Sequence, residues 1–134
     1  GRPARFAGVL GTGVTKVGDL EVARTGLCTT QAEEAGFDHR SETIEATTRA
    51  GYYPGAEPIA VKIITERGSG LLLGAQIVGG PGSGKRIDTL ATAIWAGMTA
   101  EELAGSDLSY APPVSPTYDP VIVAARVASR IETG

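Results

Sequence analysis

Two consecutive apolar runs constrain this chain most. Ile59 to Ile64 and Leu71 to Val78 flank the turn Arg67-Gly68-Ser69-Gly70. In the first run Ile59, Val61 and Ile63 alternate with Ala60, Lys62 and Ile64. Both runs have strand length, and the glycine-bearing turn suits a hairpin connection. Few polar residues interrupt either run. The pair therefore belongs at the centre of an antiparallel sheet, covered on at least one side by helices.

The flanking segments agree with that placement. From Phe6 to Leu27 the chain is glycine-rich, and Val14, Lys16, Asp19, Leu20, Glu21 and Val22 read as strand or irregular extended structure. Thr30 with Glu33 forms a capping-box pattern for a short helix, with Gly36 as its stop. Over residues 41–50, Ile44, Ala46, Thr48 and Ala50 share one face, and Glu45, Thr47 and Arg49 the other, as in a half-buried strand. A helix is expected from about Arg86 to Met98, with Ile87, Leu90, Ala91, Ile94, Trp95 and Met98 on its apolar face. Thr99 and Glu102 restart a short helix that ends near Gly105. Asp119 caps a last one with Pro120 at its first position. Strands followed by helices give an α+β class: an antiparallel sheet with helices packed on one face. Residues 1–134 read as a single domain.

Composition narrows the function. The 134 residues contain 42% hydrophobic and 20% charged residues, as in a globular domain with a real core. The net charge of −3 disfavours a general nucleic-acid binder. No apolar run has the length needed to span a bilayer. Cys28 is the only cysteine, so no internal disulfide forms, which suits a reducing, cytoplasmic compartment. The chain starts Gly1-Arg2-Pro3, as a processed chain or a piece of a longer protein would.

Several motifs have bland readings. Gly79-Gly80-Pro81-Gly82-Ser83-Gly84-Lys85-Arg86 nearly spells a phosphate-binding loop between a strand and a helix. Arg86 stands where that loop needs a hydroxyl for magnesium, and the strand belongs to a hairpin. A turn with basic residues at a helix start is the simpler reading, with weak anion binding left open. His39, the only histidine, has no ligand cluster at metal spacing and reads as a solvated turn residue. Cys28 at a helix entrance has no resolving cysteine. Lys85, Arg86 and Asp88 read as a charged helix start, where an exposed contact contributes little. Ser115 and Thr117 lack the partners of a hydrolase triad.

Two tyrosine-proline loops stand out: Gly51-Tyr52-Tyr53-Pro54-Gly55, and Tyr110-Ala111-Pro112-Pro113-Val114-Ser115-Pro116. Proline fixes φ and lacks an N–H, so these segments join neither a helix interior nor a central strand. Each puts phenols on a stiff loop able to present a hydroxyl to another active site.

Taken in order, Arg24-Thr25-Gly26-Leu27, Tyr52-Tyr53-Pro54-Gly55, Lys85-Arg86-Ile87-Asp88 and Tyr110-Ala111-Pro112-Pro113 with Ser115 resemble one family. It is the C-terminal dimerisation domain of the FAD-dependent pyridine nucleotide-disulfide oxidoreductases, in the coenzyme A-disulfide reductase and NADH oxidase branch. The likeness runs from about Phe6 to Arg130. It implies a homodimeric flavoprotein in which FAD and NAD(P)H are held by domains missing from this chain, with residues 1–5 as remnant of the connection to the FAD domain. It also implies that Tyr110, with Tyr52 or Tyr53, reaches the partner subunit's thiol and flavin site in trans. Ser115-Pro116-Thr117 lacks the histidine of the His-Pro-Thr motif found in other disulfide reductases, which fits the single-cysteine branch. No Gly-x-Gly-x-x-Gly opens a βαβ unit, so no cofactor site is expected in this chain, and it is expected to be inactive alone. Open beside this reading are a freestanding binding or scaffold module and a small nucleotide-binding enzyme using Lys85. The electron acceptor (coenzyme A disulfide, oxygen, peroxide or polysulfide) and the choice of NADH or NADPH are not encoded here.

Overall fold

β-branched residues crowd the middle of the chain, and the middle of the chain makes the centre of the sheet. The computed structural model describes residues 7–132. The expected connection remnant, residues 1–5, lies outside the described residues. The strands are β1 (Gly13–Val17), β2 (Leu20–Gly26), β3 (His39–Thr47), β4 (Pro58–Glu66) and β5 (Leu72–Gly79). They form one antiparallel sheet in the order β1-β2-β5-β4-β3. The expected hairpin is therefore β4–β5, inside the sheet, with Val61 opposite Ile77 and Ile63 opposite Ala75.

The glycine-rich first segment is a second hairpin, more regular than the extended stretch expected from it. Val17 pairs with Leu20 across a turn of Gly18 and Asp19. Only Gly18 takes positive φ there, 60°, as a type II′ turn requires. This hairpin was illegible because its residues on both faces are largely exposed, leaving no alternation to read.

Three helices cover one face: α2 (Ile87–Trp95), entered through a 3-10 turn at Gly84–Arg86, α3 (Ala100–Ala104) and α4 (Pro120–Glu132). Their buried residues Leu90, Leu103, Val121, Ala124 and Ala125 meet Ile59, Val61, Ile63, Ala75 and Ile77 of the sheet. The alanines of α4 let its backbone lie close on β3 and β4. A fourth, short helix α1 (Thr29–Glu34) packs Ala32 on Ile64 and Leu73. Ile64 alternates with Ile63, so this small cluster lies on the opposite face.

The caps follow sequence chemistry with one shift. Thr99 Oγ1 accepts from the Glu102 N–H (3.2 Å), and Glu102 Oε2 accepts from the Thr99 N–H (2.8 Å). Asp119 Oδ1 accepts from the Val121 N–H (2.9 Å) at the start of α4. Helix α1 is not capped by Thr30. Cys28 is its N-cap, and Gln31 Oε1 accepts from the Cys28 N–H (3.0 Å). Arg24 also donates to Gln31 Oε1, at 3.0 Å, which favours the earlier start. Helix α2 stops at Trp95, before the expected Met98, with Gly97 at positive φ just beyond. Trp95 is 60% exposed rather than buried. It sits at the helix end, where it borders an open apolar depression with Val9 and Leu10.

A bulge links the sheet to the first loop. Ile64 pairs with Gly74 and Thr65 with Leu72, leaving Leu73 as an extra residue on β5. The Leu27 N–H donates to Leu73 O (3.0 Å) as the chain leaves β2. A Cβ on Gly74 would lie 1.8 Å from Leu27 O, so this crossing requires glycine. Gly74→Ala should lower stability by about 3 kcal/mol, read from the urea midpoint. Gly13→Ala, where a Cβ meets nothing within 4 Å, should stay within about 0.5 kcal/mol of the parent chain.

Candidate functional site

The two tyrosine-proline loops meet at one end of the sheet. The first connects β3 to β4. Its base is closed by Thr48, whose N–H donates to Glu57 O (2.8 Å) and whose Oγ1 accepts from the Glu57 N–H (3.1 Å). Within it the Tyr53 N–H donates to Ala50 O (2.8 Å), and Gly55 takes positive φ, 79°. The second loop connects α3 to α4. Its Val114 and Ser115 N–H groups both donate to Ala111 O, at 3.0 and 2.9 Å. The two loops are tied directly, because the Ala50 N–H donates to Pro112 O at 3.2 Å.

The phenols of Tyr52 and Tyr110, one from each loop, lie close enough for their hydroxyls to influence each other. Tyr52 is one of the two tyrosines that the sequence offers on this loop. Tyr53 lies in the same turn, 37% exposed. The Tyr52 hydroxyl is held above the ordinary phenol pKa of 10.0, first by partial loss of hydration, then by the charge and the nearby hydroxyl of Tyr110. Tyr52 is 80% exposed, so this shift carries little free energy in the domain by itself. Tyr110 is 50% exposed. The pair presents a protonated hydroxyl, a hydrogen-bond donor at neutral pH, on an open surface.

Behind the pair lies Arg86. Its Nε donates to Asp119 Oδ2 at 2.9 Å, and the two side chains are only 11% and 13% exposed. Its Nη2 donates to Thr48 O (2.7 Å) and to Val114 O (3.0 Å), and its Nη1 to Gly82 O (2.9 Å). One guanidinium thereby holds the base of the first loop, the end of the second, the glycine turn and the cap of α4. The sequence reading placed Arg86 in a solvated helix start. The exposed pair there is instead Lys85 with Asp88, while Arg86 pairs with a residue 33 positions further on. The missed signal was an arginine directly after a glycine turn, with Asp119 legible only as a cap.

The glycine turn does not present a free anion cradle. The Gly84 N–H donates to Glu21 Oε2 at 2.7 Å, so a carboxylate of the chain stands where a phosphate oxygen would need to be. A Cβ on Gly84 would lie 2.6 Å from Val14 and 3.2 Å from that carboxylate, so the space is already filled. This finding replaces the weak anion binding left open from sequence. His39 opens β3, with Nδ1 at 3.2 Å from Phe37 O, far in the fold from the phenols. Among the described residues, no three His, Cys, Asp or Glu side chains gather to hold a metal ion. No helix among them is long and apolar enough to cross a membrane. Arg126 stacks over the ring of Tyr118, 4.0 Å from its centroid, on the first turns of α4.

Residues 13–121 match the model of the pyridine nucleotide-disulphide oxidoreductase dimerisation domain. The chain belongs to this family. It is 45% identical over 127 residues to the NAD(P)H coenzyme A polysulfide/persulfide reductase of Pyrococcus horikoshii, covering 95% of this chain and 28% of that protein. It is 41% identical to the NADH oxidase of Methanocaldococcus jannaschii, covering 96% of this chain and 28% of that one. The structure of reduced CoADR-RHD from Bacillus anthracis superposes with a TM-score of 0.95 at 41% identity, over 99% of this chain and 24% of that one. The chain therefore spans about a quarter of the length of such relatives, and the resemblance read from its ordered motifs holds.

The phenol pair can be titrated directly. Tyr110→Phe removes the charge and hydroxyl of Tyr110 that help raise the Tyr52 pKa, so Tyr52 should ionise at lower pH in that variant, read by ultraviolet absorbance or ring-carbon NMR. The sign follows from the raised value. The folded chain holds this proton more tightly, so the linked stability is present below pH of about 10 and lost above it.

Proposed function

We propose that this domain pairs two subunits of an FAD- and NAD(P)H-dependent disulfide reductase or NADH oxidase. In that assembly it delivers Tyr110 and Tyr52, with Tyr53 beside them, to the partner's thiol and flavin site. The observation that carries the reading is the meeting of two proline-stiffened loops, tied by Ala50 N–H to Pro112 O, which brings Tyr52 and Tyr110 beside each other. Two phenols held together on an exposed surface serve little in a core. They suit a site completed by another surface.

The chemistry follows from a neutral phenol. Its O–H donates to a thiolate sulfur or a peroxide oxygen, and it returns a proton to a thiolate leaving as a disulfide is reduced. With a pKa near or above 10 it is a poor base at neutral pH. The bound flavin supplies the electrons. This chain's part is to place the hydroxyls and to exclude water around them. The described residues offer no cradle for a dinucleotide, since the glycine turn is closed by Glu21. In this reading FAD and NAD(P)H are held by the remainder of the parent protein, and the domain is inactive without it.

Pairing is supported by an uncovered apolar stripe on the sheet face opposite α2 and α4. Val17, Leu20, Val22 and Val78 are exposed there, side by side across β1, β2 and β5. Such a surface favours association with a second copy or with a neighbouring domain.

In the full-length enzyme, Tyr110→Phe should lower kcat with the thiol, disulfide or oxygen substrate by about 10- to 100-fold, within the range of general acid effects. Flavin content and sedimentation as a dimer should stay as they were. Unchanged steady-state kinetics would remove the catalytic role from Tyr110.

A further inference from the structure

We propose that Arg86 is a positioning residue: by bridging the Thr48 and Val114 carbonyls while anchored on Asp119, it sets the spacing of the Tyr52 and Tyr110 loops. Its catalytic consequence rests on the reading that these phenols serve the partner's site. The spacing itself does not.

An ion pair alone would need one of Arg86's donors. Three further donations go to backbone carbonyls, and two of these are the loop ends. Thr48 lies four residues before Tyr52, and Val114 four residues after Tyr110. A single nitrogen, Nη2, reaches both carbonyls, at 2.7 and 3.0 Å. The distance between the loops is thus limited by the two bonds of one atom. The guanidinium cannot swing, because Nε is held by Asp119 Oδ2. Asp119 is itself fixed, since its other oxygen caps α4 and Ser115 Oγ lies 3.3 Å from Oδ2. The chain of constraint runs from the core helix to Asp119, to Arg86, and to both loops at once. Ala50 N–H on Pro112 O is a second tie between the loops, at a longer 3.2 Å.

Arginine is required by this geometry. Its planar fork carries five donors in fixed directions, whereas lysine offers one ammonium on a flexible stem. Lysine at this position can answer Asp119, but one nitrogen cannot hold the carboxylate and both carbonyls in the same directions. A role confined to the ion pair predicts that lysine substitutes well. A role in spacing predicts that it does not.

The test uses the 15N-labelled chain with Arg86→Lys and Arg86→Met, together with the same changes in the full-length enzyme. In Arg86→Lys the melting temperature should fall by only a few degrees, and amides of Ile63 and Ile77 should keep their hydrogen-exchange protection. The Ala50 amide should exchange at least about tenfold faster, as local opening without global unfolding requires. The ring-to-ring NOE between Tyr52 and Tyr110 should weaken or vanish. In the full-length enzyme kcat should fall about as far as in Tyr110→Phe with KM changed less than about twofold, and the double variant should show no further loss. Arg86→Met should show the same local opening, with lower overall stability. Wild-type exchange at Ala50 and an intact NOE in Arg86→Lys would overturn the proposal. So would loss of the whole fold in Arg86→Lys, which would make Arg86 a residue of global stability rather than of loop spacing. If Tyr110→Phe leaves kcat intact, the catalytic reading fails by itself, and the exchange data still judge the clasp.

Discussion

A guanidinium and a carboxylate, both nearly withdrawn from water, hold one end of this domain together. Arg86 and Asp119 lie 2.9 Å apart with little exposure, and desolvation offsets much of their attraction. The pair is therefore weak evidence for net stability. It is strong evidence for geometry, because a charged group in such a place must satisfy its remaining donors. Arg86 does so on the carbonyls of Gly82, Thr48 and Val114. Four separate stretches of chain are brought to one point by the hydrogen-bonding needs of one side chain.

The sheet makes that meeting feasible. Antiparallel pairing brings the end of β3, the start of β4 and the end of β5 to the same edge, with Thr47 opposite Pro58 and Ile59 opposite Gly79. The β3–β4 loop and the glycine turn after β5 thus leave the sheet side by side. Packing Val121, Ala124 and Ala125 on the core brings the first turn of α4, with Asp119, to that edge as well. The tyrosine loops inherit a rigid base from the core and keep their phenols in the open. This is the arrangement expected where a scaffold positions loop residues for work elsewhere.

Much of this was legible in residues that act locally. The apolar alternation of Ile59, Val61 and Ile63 located the central hairpin, and Thr99 with Glu102 and Asp119 with Pro120 located two helix starts. Such signals need only neighbours within one turn or across one hairpin. The β1–β2 hairpin escaped because its faces are mostly exposed and so carry no strong alternation. Thr30 was read as a cap from spacing alone, while the contact of Arg24 with Gln31 favours Cys28. Trp95 fits a helical stripe but falls at the last residue of α2, where the sheet no longer covers it.

From the order of its residues this chain determined its central hairpin, the caps at Thr99 and Asp119 and the stiffness of its two phenol-bearing loops, because each depends on dihedral preference and short-range hydrogen bonds. Those residues could not say that Tyr52 would lie beside Tyr110, or that Arg86 would find Asp119. These pairings join positions 33 to 58 residues apart. They exist only once the core has folded and excluded water, since an exposed arginine has no reason to choose one carboxylate and two carbonyls over solvent.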